Sequence, residues 1–231
     1  MSAAAGTDPT TAAGGPEAAP TLGVSRLCLV VTGSAIASSA PAWLAWLTET
    51  YPDLAVRTLV TRSAQRFTTL QALELRSPHG VEVDEWTPTN GPLHVELAQW
   101  MDAMVVYPAT YSFTSRFAAG LADSPAVLAA LCTPSVVALA PALPPGALQN
   151  HAFAERWRTL AERPNVVLAP PRAGVSLSTG RNDGWVCPPL WDVLRLTEDR
   201  RRELDQRRPG HDDDPGRHLQ AASLLADGLP R

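Results

Sequence analysis

The chain has 231 residues, of which 45% are apolar, and a formal net charge of −4. This length supports one medium-sized domain with a hydrophobic core, and the negative charge argues against a general nucleic-acid surface. All 19 basic residues are arginines, so a mechanism that needs a Schiff-base lysine is excluded. We therefore expect no nucleic-acid partner.

Three widely spaced cysteines, Cys28, Cys132 and Cys187, show no CxxC spacing. This pattern predicts neither a metal site nor a disulfide framework, and it is typical of a protein from a reducing cytoplasm. The sequence has no basic residue before Arg26 and no run of about 18 apolar residues. We therefore expect a cytoplasmic protein with neither a signal peptide nor a membrane span.

Both ends of the chain differ in composition from its middle. Residues 1–24 are mainly Ala, Gly, Pro and Thr, which cannot bury enough apolar surface to offset the entropy of ordering, so we predict a disordered segment. Residues 197–231 contain EDRRRELDQRRPGHDDDPGRH, which predicts a charged, solvated tail whose start can be helical. Residues 25–196 form the predicted domain.

Between the ends, apolar runs typical of buried strands alternate with segments typical of helices. The predicted strands are LCLVVT (27–32), AVRTLVT (55–61), VEVDEW (81–86), AMVVYP (103–108), SVVALAP (135–141) and NVVLAP (165–170). The predicted helices begin near Ser39-Ala40-Pro41, where serine suits the N-cap and proline the first turn, and then cover about 63–75, 94–101, 112–131 and 150–163. This alternation predicts an α/β fold in three layers, with helices on both faces of a doubly wound, mostly parallel sheet.

Ligands of such sheets bind beyond the carboxyl ends of the strands, so the loops there are the first candidates for a site. After the first strand, TGSAIASS (32–39) offers Gly33 for close approach and Ser34 as a donor, which fits a phosphate cradle. The loop is neither GxGxxG nor a P-loop, which needs a lysine, so a mononucleotide is favoured over a dinucleotide. An ordinary strand-to-helix turn would have the same composition.

His94 opens the stretch HVELAQWMDAMVVYPATYSFTSRFAAGLAD, in which an apolar strand ends in small hydroxyl residues. It precedes the fourth strand, whose end should lie at the ligand crevice, and an imidazole can exchange protons near neutral pH. The alternative is a histidine at a helix start that only caps or packs. The residues alone leave both interpretations open.

Four segments, GSAIA, VTRSAQRF, the His94 stretch and APAL, together resemble the flavin-containing cysteine decarboxylases over about residues 26–190. This family includes phosphopantothenoylcysteine decarboxylase and the peptide cysteine decarboxylases of lantibiotic-type pathways. The resemblance implies a Rossmann/flavodoxin-like flavoprotein that binds FMN. It also implies a homo-oligomer, a trimer or dodecamer, in which the apolar segment 116–131 would form a helix interface unless it belongs to the chain's own core.

The resemblance also implies roles for individual residues. His94 would act at the substrate. Contacts to FMN would come from Gly33, Ser34, Ser39, Thr61, Ser63, Phe67, Pro108, Ala109, Thr110 and Thr114. Tyr111-Ser112 stands where the family usually has an asparagine after Thr110, so one amide hydrogen bond of the family is not expected here.

Substrate contacts are implied after the fifth strand and in the loop 173–190, where the family has a mobile substrate clamp. The residues assigned to this part are Pro141, Ala142, Leu143, Asn150, Ser178 and Trp185. Pro144 replaces the family asparagine that contacts the substrate carboxylate, and proline has neither a side-chain donor nor an N–H. Other groups must then recognise the carboxylate, with Asn150, His151 and backbone amides as candidates.

The reaction implied by the resemblance is FMN-dependent oxidative decarboxylation of the C-terminal cysteine of a ribosomally made precursor peptide. In the family, flavin oxidises the cysteine side chain toward a thioaldehyde, and loss of CO₂ yields an aminoenethiol for later aminovinyl-cysteine formation. One alternative is phosphopantothenoylcysteine decarboxylation, against which Pro144 argues, as does Ser178 in place of that subfamily's cysteine. Another is a flavin-binding subunit without decarboxylase activity.

Overall fold

The protein is described from a computed structural model, over residues 19–87, 91–176 and 179–207. Its central strands are β1 Arg26–Val31, β2 Ala55–Val60, β3 Val81–Val83, β4 Ala103–Thr110, β5 Val136–Ala142 and β6 Val166–Leu168. They form one sheet in the order β3-β2-β1-β4-β5-β6, and all neighbours are parallel. A separate antiparallel hairpin pairs β7 Arg172–Gly174 with β8 Gly184–Val186.

Helices cover both faces of the central sheet. They are α1 Ala40–Thr50, α2 Leu70–Glu74, α3 Leu93–Trp100, α4 Tyr111–Ala118, α5 Pro125–Cys132, α6 His151–Ala161 and α7 Leu190–Arg207. One buried cluster joins α1, α2 and α7 to the sheet, and a second joins α3, α4 and α5 to its other face. The predicted three-layer, doubly wound α/β fold is therefore confirmed.

Continuous apolar sequence accounts for the centre of the sheet. Residues 27–31 of β1 and 103–109 of β4 are all buried, as expected for parallel strands covered by helices on both sides. In the parts of the chain that the structure describes, no helix is both long and apolar enough to cross a membrane.

Two predicted helices differ from the structure. The segment 63–75 forms a 3₁₀ turn at Ala64–Arg66 and a short α2, and the segment 112–131 is divided into α4 and α5. Gly120 lies in this second break with φ +68, a left-handed conformation that ends a helix and that glycine adopts without strain. The helix therefore ends near Gly120, although the apolar pattern had predicted one continuous helix.

The ends of the predicted domain also differ from the structure. Residues 19–24, assigned to the disordered segment, include the buried Val24, and the Tyr51 hydroxyl donates to the Pro20 carbonyl (2.8 Å). Helix α7 continues through Arg207, past the predicted boundary at 196, so the start of the predicted tail is helical, and its buried Glu198 accepts a hydrogen bond from the Gly23 N–H (2.9 Å). The remainder of both predicted tails, 1–18 and 208–231, lies outside the described residues.

Candidate active site

A cavity of about 410 Å³ lies beyond the carboxyl ends of β1, β4 and β5, where ligands of doubly wound sheets bind. Its volume is in the range of small-molecule sites, about 300–1,000 Å³. The residues that line it are Gly33, Ser34, Ala35, Ile36, Phe67, Thr110, Tyr111, Ser112, Ala142, Leu143, Pro144, Pro145, Val175, Ser176, Thr179, Gly184, Trp185 and Val186. No carboxylate, guanidinium or imidazole occurs among these described lining residues.

The wall formed by β1 and β4 is held together by Thr32. Its hydroxyl donates to the Pro108 carbonyl (2.6 Å) and accepts from the Thr110 N–H (3.0 Å). The Thr110 side chain in turn accepts from the Phe113 N–H (3.4 Å) and caps α4. These bonds fix the start of α4 next to the loop after β1, so that Thr110 and Ser112 face the same cavity as Ser34.

Gly33 allows two loops of this wall to approach closely. A Cβ atom at this position would lie 2.4 Å from Ser63 Oγ and 3.0 Å from the Ser63 backbone carbonyl carbon. The hydroxyl could rotate away, but the backbone carbon could not. Close approach, rather than an unusual φ angle, is thus the reason for glycine in this loop.

The opposite wall is formed by the end of β5 and by β8. Leu143 and Trp185 exchange two backbone hydrogen bonds, of 2.8 and 3.1 Å, which join the hairpin to the main sheet. The next residues, Pro144 and Pro145, have no N–H, and the Leu143 N–H is already used. This wall is therefore apolar and offers few donors.

An aromatic cluster continues the apolar wall towards α6. The Tyr111 ring lies 4.9 Å from that of Phe153, which lies 5.8 Å from that of Trp157. Asn150 caps α6 by accepting from the Phe153 N–H (3.3 Å), and its side-chain oxygen also accepts from the Tyr111 hydroxyl (3.4 Å). The predicted substrate residue Asn150 thus has a structural role, although its amide group is exposed.

The structure brings some of the predicted residues to the cavity and leaves others away from it. The predicted residues that line it are Gly33, Ser34, Phe67, Thr110, Ala142, Leu143 and Trp185. Those that are not among its described lining residues are Ser39, Thr61, Ser63, Pro108, Ala109, Thr114, Pro141, Asn150 and His94. Ser178 lies outside the described residues.

The predicted residues that do not line the cavity have different places in the structure. Ser39 occupies the N-cap position of α1, and Pro108 binds Thr32 through its carbonyl. Thr61 and Ser63 line a neighbouring cavity at the ends of β2 and β3, and their hydroxyls are 3.1 Å apart. Thr114 is fully buried in α4, and its hydroxyl has no hydrogen-bond partner within the described residues.

His94 lies in the first turn of α3, at the same edge of the sheet as the cavity. Its ring makes an edge contact with Trp86 at 5.3 Å, and Trp86 Nε1 donates to the Asp123 carbonyl (3.0 Å). Nδ1 of His94 is buried without a hydrogen-bond partner in the described part of the chain. The residue as a whole is partly buried.

Several lining residues were not predicted, namely Ala35, Ile36, Pro145, Val175, Ser176, Thr179, Gly184 and Val186. Tyr111, Ser112 and Pro144, which also line the cavity, had been identified only as departures from the family pattern. Ser176 and Thr179 belong to the loop 173–190, which the sequence had indicated as a whole. No local pattern distinguishes the side chains of that loop that face the cavity, because this depends on how β8 pairs with Leu143.

Comparison with known proteins assigns the chain to a family. The Flavoprotein family matches residues 18–185. The chain belongs to the Flavoprotein family. The matched segment contains all the strands of the central sheet and nearly all of the cavity lining.

Two relatives that are similar in sequence have different names. The chain is 35% identical over 156 residues to the cypemycin cysteine dehydrogenase (decarboxylating) of a Streptomyces species, covering 67% of this chain and 80% of the relative. It is 29% identical over 147 residues to the coenzyme A biosynthesis bifunctional protein CoaBC of Escherichia coli K12, covering 63% of this chain but 36% of that protein.

Solved structures agree with the fold. The crystal structure of the cypemycin decarboxylase CypD matches with a TM-score of 0.68 and 29% identity, covering 80% of this chain and 98% of that one. The FMN-dependent cysteine decarboxylase SpaF matches with a TM-score of 0.63 and 25% identity, covering 74% and 96%. The flavoprotein interpretation of the sequence is thereby confirmed.

The residues present fit a flavin mononucleotide. Glycine at position 33 lets the loop after β1 pack closely against Ser63, and Ser34, Thr110 and Ser112, which carry hydroxyls, line the cavity next to the start of α4. Hydroxyl and N–H donors at a helix start suit a phosphate group. Apolar side chains such as Ile36 and Phe67 offer surface to a planar ring.

Proposed function

We propose that this protein is an FMN-dependent decarboxylase that acts on the C-terminal cysteine of a ribosomally made precursor peptide. The observation that carries the proposal is the division of the cavity into a hydroxyl wall from β1 and β4 and an apolar wall from β5 and β8. The first suits the cofactor and the second a peptide. The similarity to the cypemycin enzyme supports the reaction type.

The flavin, when bound, supplies oxidation of the cysteine side chain, and the product would be an aminoenethiol that serves aminovinyl-cysteine formation. The protein's own groups bind and orient. Ser34, Thr110 and Ser112 would hold the cofactor through their hydroxyls, and Thr32 keeps their two loops in register. Leu143, Pro144 and Trp185 would exclude water from the reacting cysteine, since they form a continuous apolar surface.

We propose that His94 serves the cavity of a second copy of the chain. Within one chain His94 is not among the described cavity residues, yet it lies at the correct edge of the sheet and is only partly buried. Trp86, which contacts the His94 ring, and Val95, which follows it in sequence, are 46% and 39% exposed, and Leu121, two residues before the Asp123 that Trp86 binds, is 55% exposed. A second copy that covers this patch would bury the apolar area and bring His94 to a substrate.

The predicted interface segment 116–131 contributes less than expected to such a contact. Phe117, Ala126, Val127, Ala129 and Ala130 belong to the core cluster of their own chain. Leu121, in the break between α4 and α5, is the large apolar side chain that it exposes. The proposed interface is therefore centred on Trp86, and a trimer or dodecamer remains our prediction for the assembly.

The decisive experiment incubates the purified yellow protein with a peptide that ends in cysteine. Decarboxylation with oxidation should lower the peptide mass by about 46 Da, that is CO₂ plus two hydrogens. Turnover of phosphopantothenoylcysteine instead would identify the coenzyme A reaction, against which the donor-free Pro144 argues. Bound FMN with neither activity would indicate a flavin-binding subunit, and a protein unable to bind FMN would refute the assignment.

The placement of His94 is tested by co-expressing two impaired variants and assaying them at an FMN concentration too low to fill the Gly33→Ala cavity. A His94→Asn chain keeps an intact cavity, and a Gly33→Ala chain keeps an intact His94. If the site is shared between chains, the co-expressed protein should be clearly more active than the two variants assayed separately and summed. If His94 serves the cavity of its own chain, the activity should not exceed that sum. Light scattering on the wild-type holoprotein should show more than one copy.

A further inference from the structure

The apolar wall of the cavity depends on a short segment with few hydrogen bonds of its own. Residues 184–188, which we name the strap, contain β8, and their Gly184, Trp185 and Val186 line the cavity. Strand β8 pairs with β7, and each has three residues. A two-stranded hairpin of this size is marginally stable by itself, so contacts with the main sheet must determine where the strap lies.

Hydrogen bonds at three positions, Trp185, Cys187 and Pro188, join the strap to the main sheet. Trp185 exchanges its two backbone hydrogen bonds with Leu143. Further along, the Cys187 thiol donates to the Ala140 carbonyl on β5 (3.1 Å). At its end, the Tyr107 hydroxyl on β4 donates to the Pro188 carbonyl (2.9 Å). The two side-chain bonds are buried, so water cannot readily replace them.

Tyr107 is well placed to act as a fixed support. Its ring is buried and meets the Trp43 ring edge-on at 4.5 Å, which restrains the direction of the hydroxyl. Burial raises the pKa of the Tyr107 hydroxyl, and burial likewise raises the pKa of the Cys187 thiol, so both groups remain protonated donors. Tyr107 directly precedes Pro108, whose carbonyl binds Thr32 in the opposite wall.

We propose that Tyr107 is a positioning residue. The Tyr107 hydroxyl, together with the Cys187 thiol, holds the strap in place, so that Trp185 and Val186 form the apolar wall against which the substrate binds. This inference rests on the proposed function of the cavity. Tyr107 is not a lining residue and touches no reacting group, so it acts through the strap alone. It also ties the substrate wall to β4, the strand that carries the hydroxyl wall.

Loss of this hydroxyl should affect substrate binding selectively. Tyr107→Phe keeps the ring and its contact with Trp43 but leaves the Pro188 carbonyl without its donor. The strap would then occupy its binding position for a smaller fraction of the time, and apparent affinity falls by that fraction. One hydrogen bond corresponds to about a 2- to 10-fold change, so KM for the peptide should rise by that factor. We expect kcat and FMN occupancy to stay near wild type.

The matched control is Tyr51→Phe, which also removes a hydroxyl that donates to a backbone carbonyl, that of Pro20 (2.8 Å). It should leave KM unchanged. A KM that is unchanged in Tyr107→Phe, or raised equally in both variants, would overturn the proposal. So would loss of FMN from Tyr107→Phe, because the residue would then act on the cofactor wall.

A second pair of variants tests the strap itself. Cys187→Ala removes the donor to Ala140 and should raise KM as Tyr107→Phe does, whereas Cys187→Ser keeps a donor and should behave nearly as wild type. Equal KM values for Cys187→Ala and the wild type would count against the strap.

Hydrogen exchange gives a readout that does not need the substrate. The Trp185 amide, which donates to Leu143, should exchange about 2- to 10-fold faster in Tyr107→Phe holoprotein, while amides of β1 stay protected. The exchange measurement tests the positioning role of Tyr107 separately from the proposed decarboxylase function, since a protein that is inactive on peptides could still show the exchange difference. Unchanged exchange at Trp185 would refute the positioning role regardless of activity.

Discussion

At the amino edge of the central sheet, charged side chains pair with one another, whereas the cavity at its carboxyl edge is lined by hydroxyls and apolar groups. Asp102 accepts from the N–H groups of Ser25 and Arg26, both at 2.9 Å, and from the Arg26 guanidinium at 2.8 Å. Glu198 binds the Gly23 N–H, Arg201 and Arg202. Asp102 and Glu198 thus connect the start of β1 and the residues before it to the start of β4 and to α7.

The difference indicates how the fold separates stability from binding. Charges at the amino edge satisfy each other, so they contribute to folding and have little capacity left for a ligand. Polar groups that line the cavity are uncharged, and a phosphate or carboxylate would bring its own charge to donors already in place. Substitutions at the carboxyl edge should therefore affect function, and substitutions at the amino edge should affect stability.

The largest effect is expected for His94→Asn. General acid–base assistance contributes about 10²- to 10⁴-fold, so turnover of the cysteine peptide should fall by that amount. Asparagine retains polarity and part of the size, so FMN content and melting temperature should change little. His79→Asn, at an exposed histidine away from the cavity, is the control. Normal turnover with a lowered melting temperature would show that His94 only packs against Trp86.

Gly33→Ala should act on the cofactor. The added Cβ would meet the Ser63 backbone at 3.0 Å, and forcing such overpacking costs about 1–3 kcal/mol, so FMN affinity should drop about 10- to 100-fold. Fluorescence titration of the apoprotein with FMN measures this. Gly91→Ala adds a Cβ at an ordinary 3.5 Å from Glu96 and should bind FMN normally. Full FMN affinity in Gly33→Ala would remove this loop from the cofactor site.

Glu198→Gln should lower stability and leave the peptide assay unchanged. Burial alone would raise the pKa of the Glu198 carboxyl, but hydrogen bonds from Arg201, Gly23 and Arg202 outweigh burial and lower the pKa to about 2. The resulting stability is present above the unfolded pKa and is lost as the pH falls towards 2. At pH 7 the variant should lose about 2–3 kcal/mol of unfolding free energy.

The same variant has a defined pH signature. Since the contribution of Glu198 declines below pH 4.5, the difference between wild type and Glu198→Gln should shrink to about half or less near pH 3. Urea unfolding at several pH values checks this. A gap that stays constant with pH would mean that packing, and not ionisation, accounts for the loss.

The smallest effect is expected for Thr32→Val. The variant loses the bonds to Pro108 and Thr110, and since a hydrogen bond contributes about 0.5–1.5 kcal/mol net, FMN affinity should fall about 2- to 10-fold. Thr197→Val removes a similar buried hydroxyl, which donates to the Val193 carbonyl at 2.7 Å on α7. It should cost similar stability without weakening FMN. Equal FMN binding by both variants would contradict the role of Thr32.

The sequence by itself determined the α/β class, the six strands of the sheet and the loops that form the cavity. Apolar runs such as 103–107 report burial on both faces, and the order of strands and helices decides which loops share an edge. Both properties follow from short-range pattern. Gly33, Ser34 and Thr110 could be identified as cavity residues for the same reason, since each ends a buried strand or lies within three residues of its end.

Only the tertiary structure decided which side chains meet across long separations. Asn150 caps α6, His94 lies against Trp86 away from its own chain's cavity, and Tyr107 supports a strap that begins 77 residues later, from position 107 to 184. The local sequence around Tyr107 looks like any buried strand, because hydrophobic pattern encodes exposure and not the identity of a partner. Hydrogen bonds such as that from Tyr107 to Pro188 arise once the sheet and α7 bring the two positions together.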